Sequence, residues 1–380
     1  MKIRGEWLDH AGVQAVLAAL TKAGYQALVV GGCVRNAVLG FPVADVDVST
    51  DARPESVTNI AENAGFRAIP TGIDHGTVTV IAHCLTIEVT TFRRDVATDG
   101  RRAVVAFSTD VSEDAARRDF TMNAIYAQAG GTLVDPLGGL PDLVARRLRF
   151  VGDAGQRIRE DYLRTLRFFR FYALYADTDA GLDADGLAAC AANIAGLETL
   201  SRERVGAELR KLLAAPDPGP AVAAMAQAGI LTAILLGTDA RSLPVLVHLE
   251  GKEPPRWLRR LAVLGGPDPT DALRLSREES ADLGHIRAAL TEDYPLSALG
   301  YLHGEVRARD ACLLRAALTT MPLQANWQTR IARGAVATFP VTAADLMPAL
   351  QGPALGARLK VLRDRWLQSD LTLTKADLLA

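Results

Sequence analysis

At 380 residues and 40.5 kDa the chain is too long for one compact core, because single domains cluster at about 100–150 residues. Its 49% hydrophobic and 23% charged residues exclude wholesale disorder. The 42 basic and 44 acidic side chains leave a formal charge of -2, which excludes a nucleic-acid binder driven by overall charge and leaves local patches to be read along the chain.

In chain order, apolar residues recur at helical spacing over 12–20, and a β-like apolar run over 25–30 ends in Gly31-Gly32. Residues 35–39 then read as a helix start, giving strand, glycine turn, helix. Further strands are predicted at 46–48, and at 78–81 with 85–91 as a hairpin-like pair. The charged segment 93–102 lies between the Glu88 strand and a β-like run at 103–107 and is too hydrophilic for a core, so it is expected to be a mobile loop. Roughly the first 140 residues are therefore mixed α/β. Beyond Leu143 strand signals fade, and Ala, Leu and Arg at three- and four-residue spacing predict helical modules. Proline and glycine punctuate these modules at 216–220, 254–255 and 265–269, and neither a fixed-period repeat nor a sustained heptad occurs.

The four cysteines, Cys33, Cys84, Cys190 and Cys312, are scattered without a C-x-x-C, which fits a reducing compartment. The N-terminus carries Lys2, Arg4, Glu6 and Asp9 instead of a positive-then-apolar leader, and no uncharged apolar run approaches the ~18 residues of a membrane span. A soluble cytoplasmic protein without a membrane partner is expected. The six histidines show no paired metal-ligand spacing.

Chemistry concentrates in three places. Gly31-Gly32, after a strand and before a helix, lets the backbone approach a ligand, and the following helix N-terminus suits phosphate. Asp45 and Asp47 alternate with Val46 and Val48, so on a strand both carboxylates share one face while the valines enter the core. Two such acids repel unless a cation lies between them, and hard Mg²⁺ held partly by substrate phosphates suits the pair. Glu88, between Ile87 and Val89, is a candidate third acid across the sheet. Arg117-Arg-Asp-Phe-Thr-Met-Asn123 follows, its arginine fork matched to phosphate oxygens. In Arg157-Ile-Arg-Glu-Asp-Tyr-Leu-Arg-Thr-Leu-Arg-Phe-Phe-Arg170, the residues Asp161, Arg164, Arg167 and Arg170 step by three along a predicted helix. Neighbours at that spacing meet, so Asp161 and Arg164 are expected to form a fixed acceptor and donor pair, with Leu163, Leu166, Phe169 and Phe171 packing. Residues 142–170 hold eight arginines against four acids, so the phosphate-binding charge is local.

The stretch Gly31-Gly-Cys-Val-Arg-Asn-Ala-Val-Leu-Gly40 with Asp45-Val-Asp47 resembles motif A of the class II tRNA nucleotidyltransferase and bacterial poly(A) polymerase family. Asn36 stands where the family usually has aspartate, which touches only a supporting contact. Arg117–Asn123 resembles motif B, Asp135-Pro-Leu-Gly-Gly-Leu-Pro-Asp142 a loop closing the catalytic head, Glu160-Asp-x-x-Arg164 motif D, and Leu200-Ser-Arg-Glu-Arg-Val-Gly-Ala-Glu208 motif E, with Ser201 a candidate helix cap. The resemblance spans about residues 28–213.

It implies an α+β fold, a nucleotidyltransferase (polymerase-β-like) mixed-sheet head followed by all-helical neck, body and tail. The boundaries implied are a head at 1–140, a neck at 141–213 with the nucleotide-selecting helix, a body at 214–290 and a tail at 291–380 meeting tRNA. The implied activity is template-independent addition of CCA to tRNA 3′ ends from CTP and ATP with Mg²⁺. Asp45 and Asp47 would hold two metals, with Glu88 as a further catalytic acid. Gly31, Gly32, Arg35 and Arg118 would hold nucleotide phosphates, and Asp119 and Asn123 would lie near the ribose. Asp161 and Arg164 would imitate a template base, supported by Arg167 and Arg170. Poly(A) polymerase, a tRNA enzyme restricted to CC or A, and a non-catalytic RNA-binding protein are the rival readings. In the resembled family a flexible loop at the position of 93–102 accompanies addition of the terminal A.

Overall fold

The computed structural model describes residues 1–99 and 102–380, and the chain divides into two compact units. One comprises residues 1–200 with 228–233; the other comprises 201–227 with 234–380.

The first unit begins with α1 (Glu6–Asp9), α2 (Ala11–Lys22), β1 (Ala27–Val30), α3 (Gly32–Leu39) and β2 (Asp47–Thr50). Next come α4 (Pro54–Asn63), β3 (Arg67–Gly72), β4 (Thr77–Ala82), β5 (Leu85–Thr91), β6 (Arg93–Asp99) and β7 (Arg102–Phe107). It continues through α5 (Val111–Ala116), β8 (Tyr126–Ala127), β9 (Leu133–Val134), α6 (Leu140–Val144), α7 (Ala154–Glu160), α8 (Leu163–Tyr175) and α9 (Ala184–Ala192). Seven strands form one sheet in the order β3-β4-β5-β2-β1-β8-β9. β2 and β5 run parallel and the other neighbours antiparallel. The parallel pair follows from the crossover, since α4 and the β3–β4 hairpin return the chain in the same direction. Its register sets Asp47 directly beside Glu88. The apolar alternation puts Val29, Val48, Val80, Ile87 and Val89 in the core, and α2 adds Val13, Val16, Leu17 and Leu20 at helical spacing.

The strands predicted at 25–30, 46–48, 78–81 and 85–91 are present, whereas β3, β8 and β9 carry too little apolar alternation to be read. Segment 93–102 is a correction: β6 pairs antiparallel with β7 in a separate two-stranded sheet, and residues 100 and 101 of the expected loop lie outside the described residues. The hydrophilic strand is recruited by its partner, whose run Arg102–Phe107 is a strong β-former; backbone pairing needs no apolar side chain on both strands.

The helix predicted through 157–170 is two helices, because Asp161 adopts extended backbone with φ -153° and ψ 103° between α7 and α8. α8 is fixed to the sheet side by an aromatic cluster. Phe120 lies 5.0 Å from both Phe150 and Phe171, Phe150 stacks on Phe168 at 5.3 Å, and Phe171 continues to Tyr175 at 5.2 Å. Tilted and offset ring pairs of this kind add attraction beyond area burial.

The second unit is helical. Ser201 occupies the cap of Arg202–Leu213 without a side-chain bond to its amides. Its core contains charge: Arg259 donates to Glu250 Oε1 at 2.8 Å and Asp310 Oδ1 at 3.0 Å, and Arg260 donates to Glu250 Oε2 at 2.7 Å. Arg260 also donates to the carbonyls of Leu213 (2.8 Å), Ala215 and Pro216 (3.1 Å), closing the end of a helix and the proline-rich turn after it. Elsewhere in this unit, helices Leu296–Thr319 and Trp327–Ala335 cross so closely that a Cβ at Gly300 would overlap the Ile331 carbonyl, and one at Gly334 the Ser297 carbonyl. Among the described residues no helix is long and apolar enough to cross a membrane.

Arg260 is 1% exposed, so Arg260→Leu leaves Glu250 Oε2 and three carbonyls without their donor. A loss of about 3–5 kcal/mol from this unit's stability is expected, read as a lowered urea midpoint.

Candidate functional site

The glycine turn does more than reverse direction. Gly31 has φ 73° and ψ -120°, a backbone that residues with a Cβ avoid. A Cβ there would stand 3.4 Å from Arg118 Nη1, and one on Gly32 would stand 3.8 Å from Arg35 Nη2. The turn thus lies against two guanidinium groups contributed by α3 and by the segment after α5. Cys33 is chemically quiet, since burial pushes its thiol up to about 11.

Asp45 and Asp47 are exposed on either side of buried Val46, as the alternation predicts, although Asp45 precedes β2 and only Asp47 belongs to it. The Asp47 pKa is raised: the protein packed around it comes first, then like charge from Glu88; Arg118 works against both and Asp45 adds to them. All the donors are carboxylate oxygens, which fits a hard divalent cation. Among the described residues no group of three or more His, Cys, Asp or Glu side chains can hold a metal ion. Glu88 acts on Asp47 through its like charge.

A chain of buried bonds links the turn to α8. Arg35, 6% exposed, donates through Nη1 to Asn123 Oδ1 at 2.6 Å, through Nη2 to Tyr175 Oη and Asn36 Oδ1 at 2.9 Å each, and through Nε to Asn36 Oδ1 at 3.2 Å. Asn123 Nδ2 donates to Asp119 Oδ1 at 2.9 Å, and Arg167 grips Asp119 Oδ2 through Nε at 2.8 Å and Nη2 at 2.5 Å. Burial opposes the charge of Asp119, but Arg167 and the Asn123 bond outweigh it and hold the carboxyl below its usual range. The guanidinium carbons of Arg35, Arg167 and Arg170 lie 5.0, 5.2 and 4.8 Å from the Phe171 ring centroid. Three cations around one ring form a concentrated positive field suited to polyphosphate.

At the start of α8, Asp161 Oδ1 accepts from the Leu163 amide at 3.1 Å and so shapes the helix entry. The carboxylate meeting the Arg164 guanidinium at 2.7 Å is Glu160, and Arg164 also donates to the carbonyls of Arg157 (3.0 Å) and Arg117 (3.1 Å). The break at Asp161 produces this: extended backbone there ends the i, i+3 geometry that a continuous helix would give the Asp161–Arg164 pair. Sequence reasoning missed Glu160 and Tyr175 as partners, and missed Asp114 and Tyr126, which hold Arg118. Asp114 carried a readable signal, standing four residues before Arg118; Tyr126 carried none, because its segment reads only as apolar.

The family signature described as Poly A polymerase head domain matches residues 27–149, and that described as Probable RNA and SrmB- binding site of polymerase A matches 182–241. The chain is 32% identical over 387 residues to CCA tRNA nucleotidyltransferase 1, mitochondrial, of Mus musculus, covering 97% of this chain and 89% of the mouse protein. The chain belongs to the CCA tRNA nucleotidyltransferase family. It is also 35% identical over 314 residues to the CCA-adding enzyme of Geobacillus thermodenitrificans, covering 82% of this chain and 71% of that protein. The crystal structure of the Bacillus stearothermophilus CCA-adding enzyme in complex with CTP superposes with a TM-score of 0.72 at 29% identity, covering 94% of this chain and 93% of that one. The mixed-sheet nucleotidyltransferase head and helical remainder expected from the motifs are the fold observed.

Within this family frame the Gly31 turn is a point of backbone constraint. Gly31→Ala is expected to cost about 1–3 kcal/mol of stability from the forced conformation alone, checked by urea unfolding of parent and variant.

Proposed function

We propose that this chain adds CMP, CMP and AMP to the 3′ end of tRNA, using CTP and ATP. One observation carries the reading: the fold joins the motifs physically, with Gly31 against Arg118, and Arg35 tied through Asn123 and Asp119 to Arg167 of α8. A phosphate-binding turn, an acid pair and a nucleotide-selecting helix then act on one substrate. The near full-length relation to proteins named for CCA addition supports the same conclusion.

In this mechanism the tRNA 3′-hydroxyl attacks the α-phosphorus of the triphosphate and pyrophosphate leaves. Divalent metal ions serve this family generally, and Mg²⁺ fits Asp45 and Asp47, whose exposed oxygens leave further coordination to substrate. Bound there, the metal supplies activation of the hydroxyl and neutralisation of phosphoryl charge. Glu88 raises the negative field at Asp47 and so strengthens its demand for a cation. Gly31 and Gly32 admit the triphosphate close to the backbone, Arg35 and Arg118 meet its oxygens, and Asp119 and Asn123 border the ribose. Asp161 and Arg164 read the Watson–Crick edge of cytosine or adenine. Arg164 is a rigid reader because Glu160 and two carbonyls hold it. Arg167 and Arg170 support that edge from the next turns of α8. Head, neck, body and tail at 1–140, 141–213, 214–290 and 291–380 complete the proposal, with the tail meeting tRNA. The β6–β7 ribbon stands where an element governing the change from C to A addition is expected. Four free cysteines agree with a cytoplasmic location.

Purified protein given tRNA lacking CCA, CA or A, with each nucleotide separately, is expected to extend all three on a sequencing gel; extension by adenosines alone on any RNA would establish poly(A) synthesis instead. Asp47→Ala should abolish incorporation while the circular dichroism spectrum stays that of the parent, and Mg²⁺-dependent turnover near the parent rate would sink the metal assignment.

Arg164→Ala removes one side of the base reader, so discrimination against UTP and GTP should fall by about 1–3 kcal/mol, roughly five- to 150-fold. A uniform loss of rate with unchanged nucleotide preference would remove the template role.

A further inference from the structure

Arg118 is gripped from behind. Its Nε donates to Tyr126 Oη at 3.0 Å, and its Nη2 donates to Asp114 Oδ2 at 3.0 Å and to Ser49 Oγ at 3.3 Å. Tyr126 Oη donates to the same Asp114 oxygen at 2.7 Å, so both grips close on one carboxylate. Asp114 is 1% exposed and Tyr126 is fully buried; Arg117 Nη1 adds a longer contact to Asp114 at 3.9 Å. The Tyr126 ring is packed among Leu28, Val30, Phe92, Ala124 and Val151, so the core itself aims its hydroxyl. Nη1 of Arg118 is the nitrogen turned to the Gly31 turn.

A buried carboxylate and phenol are costly unless fully bonded, and an apolar pair of similar volume would fill the same space with less desolvation. What the polar triad supplies instead is direction. Burial alone would weaken the Arg118 cation, and Tyr126 and Asp114 together raise its pKa against that. Two of its three nitrogens are committed to the rear and its orientation about the side-chain axis is locked, which removes rotamer entropy that a ligand would otherwise have to quench.

We infer that Tyr126 and Asp114 are positioning residues for nucleotide binding, holding the Arg118 guanidinium aimed across the Gly31 turn at the triphosphate of CTP and ATP alike. This rests on the reading of Arg118 as a phosphate contact, and the test separates the two. Tyr126→Phe deletes one oxygen and keeps the packed ring, so the variant folds. It should raise KM for both CTP and ATP by about tenfold, the scale of one bond to a charged group, with kcat and KM for tRNA close to the parent values, while the bond lost to buried Asp114 lowers the melting temperature without unfolding the protein. Arg118→Gln should raise both nucleotide KM values at least as far, and adding Tyr126→Phe to it should raise them no further, since the phenol then has nothing to aim. Unchanged KM in Tyr126→Phe beside a raised KM in Arg118→Gln overturns the positioning role alone. An equal rise from Tyr126→Phe in both backgrounds also overturns it, showing a general packing effect. Unchanged KM in Arg118→Gln overturns the phosphate contact and the positioning role with it.

Discussion

Asp119 has to satisfy two partners at once. One carboxylate oxygen takes the Asn123 amide and through it reaches Arg35 beside the glycine turn; the other takes the forked guanidinium of Arg167 on α8. The Phe120 backbone amide also donates to it, at 2.8 Å, so the motif around it cannot rotate without breaking a buried bond. The glycine turn, through Arg35, and α8, through Arg167, are both referred to this carboxylate. The aromatic cluster around Phe120 supplies area and attraction, but rings tolerate small slides, whereas a bidentate arginine fixes angle as well as distance. The geometry between turn and helix is therefore set by charge and kept by packing.

Asn36 acquires meaning beside this. The described acceptors of the Arg35 side chain are an asparagine amide oxygen on either side and a tyrosine hydroxyl, all neutral. An amide at position 36 orients the guanidinium without neutralising it. Burial disfavours the Arg35 charge first, Tyr175 and Asp119 work the other way, and the neighbouring Arg170 and Arg167 act with burial.

Local pattern carried the parts of this architecture that depend on nearest neighbours. The strand, glycine turn and helix at 27–39, the acids alternating with Val46 at the start of β2, and the β4–β5 hairpin were legible because period, glycine and burial agree there. Elements that depend on distant partners were not. β8 and β9 are two residues each; β8 pairs with β1, and β9 pairs in turn with β8. β6 is polar and is made a strand by β7. The run at 157–170 has helical spacing throughout, and one extended residue at Asp161 divides it and gives Arg164 a different acid. Among the candidate site residues, those that form motifs by themselves are visible in the sequence; Tyr126 is bonded through a hydroxyl to partners brought to it by folding.

The crossing of the helices Leu296–Thr319 and Trp327–Ala335 has a consequence for how such a chain varies. At Gly300 and Gly334 the obstacle to any side chain is a main-chain carbonyl of the opposite helix. Trimming a side chain across the interface relieves a clash between side chains, but nothing trims a carbonyl. A larger residue at either position therefore has no second-site suppressor on the facing helix short of moving the whole helix. Each glycine is therefore a constraint set by the main chain of the opposite helix.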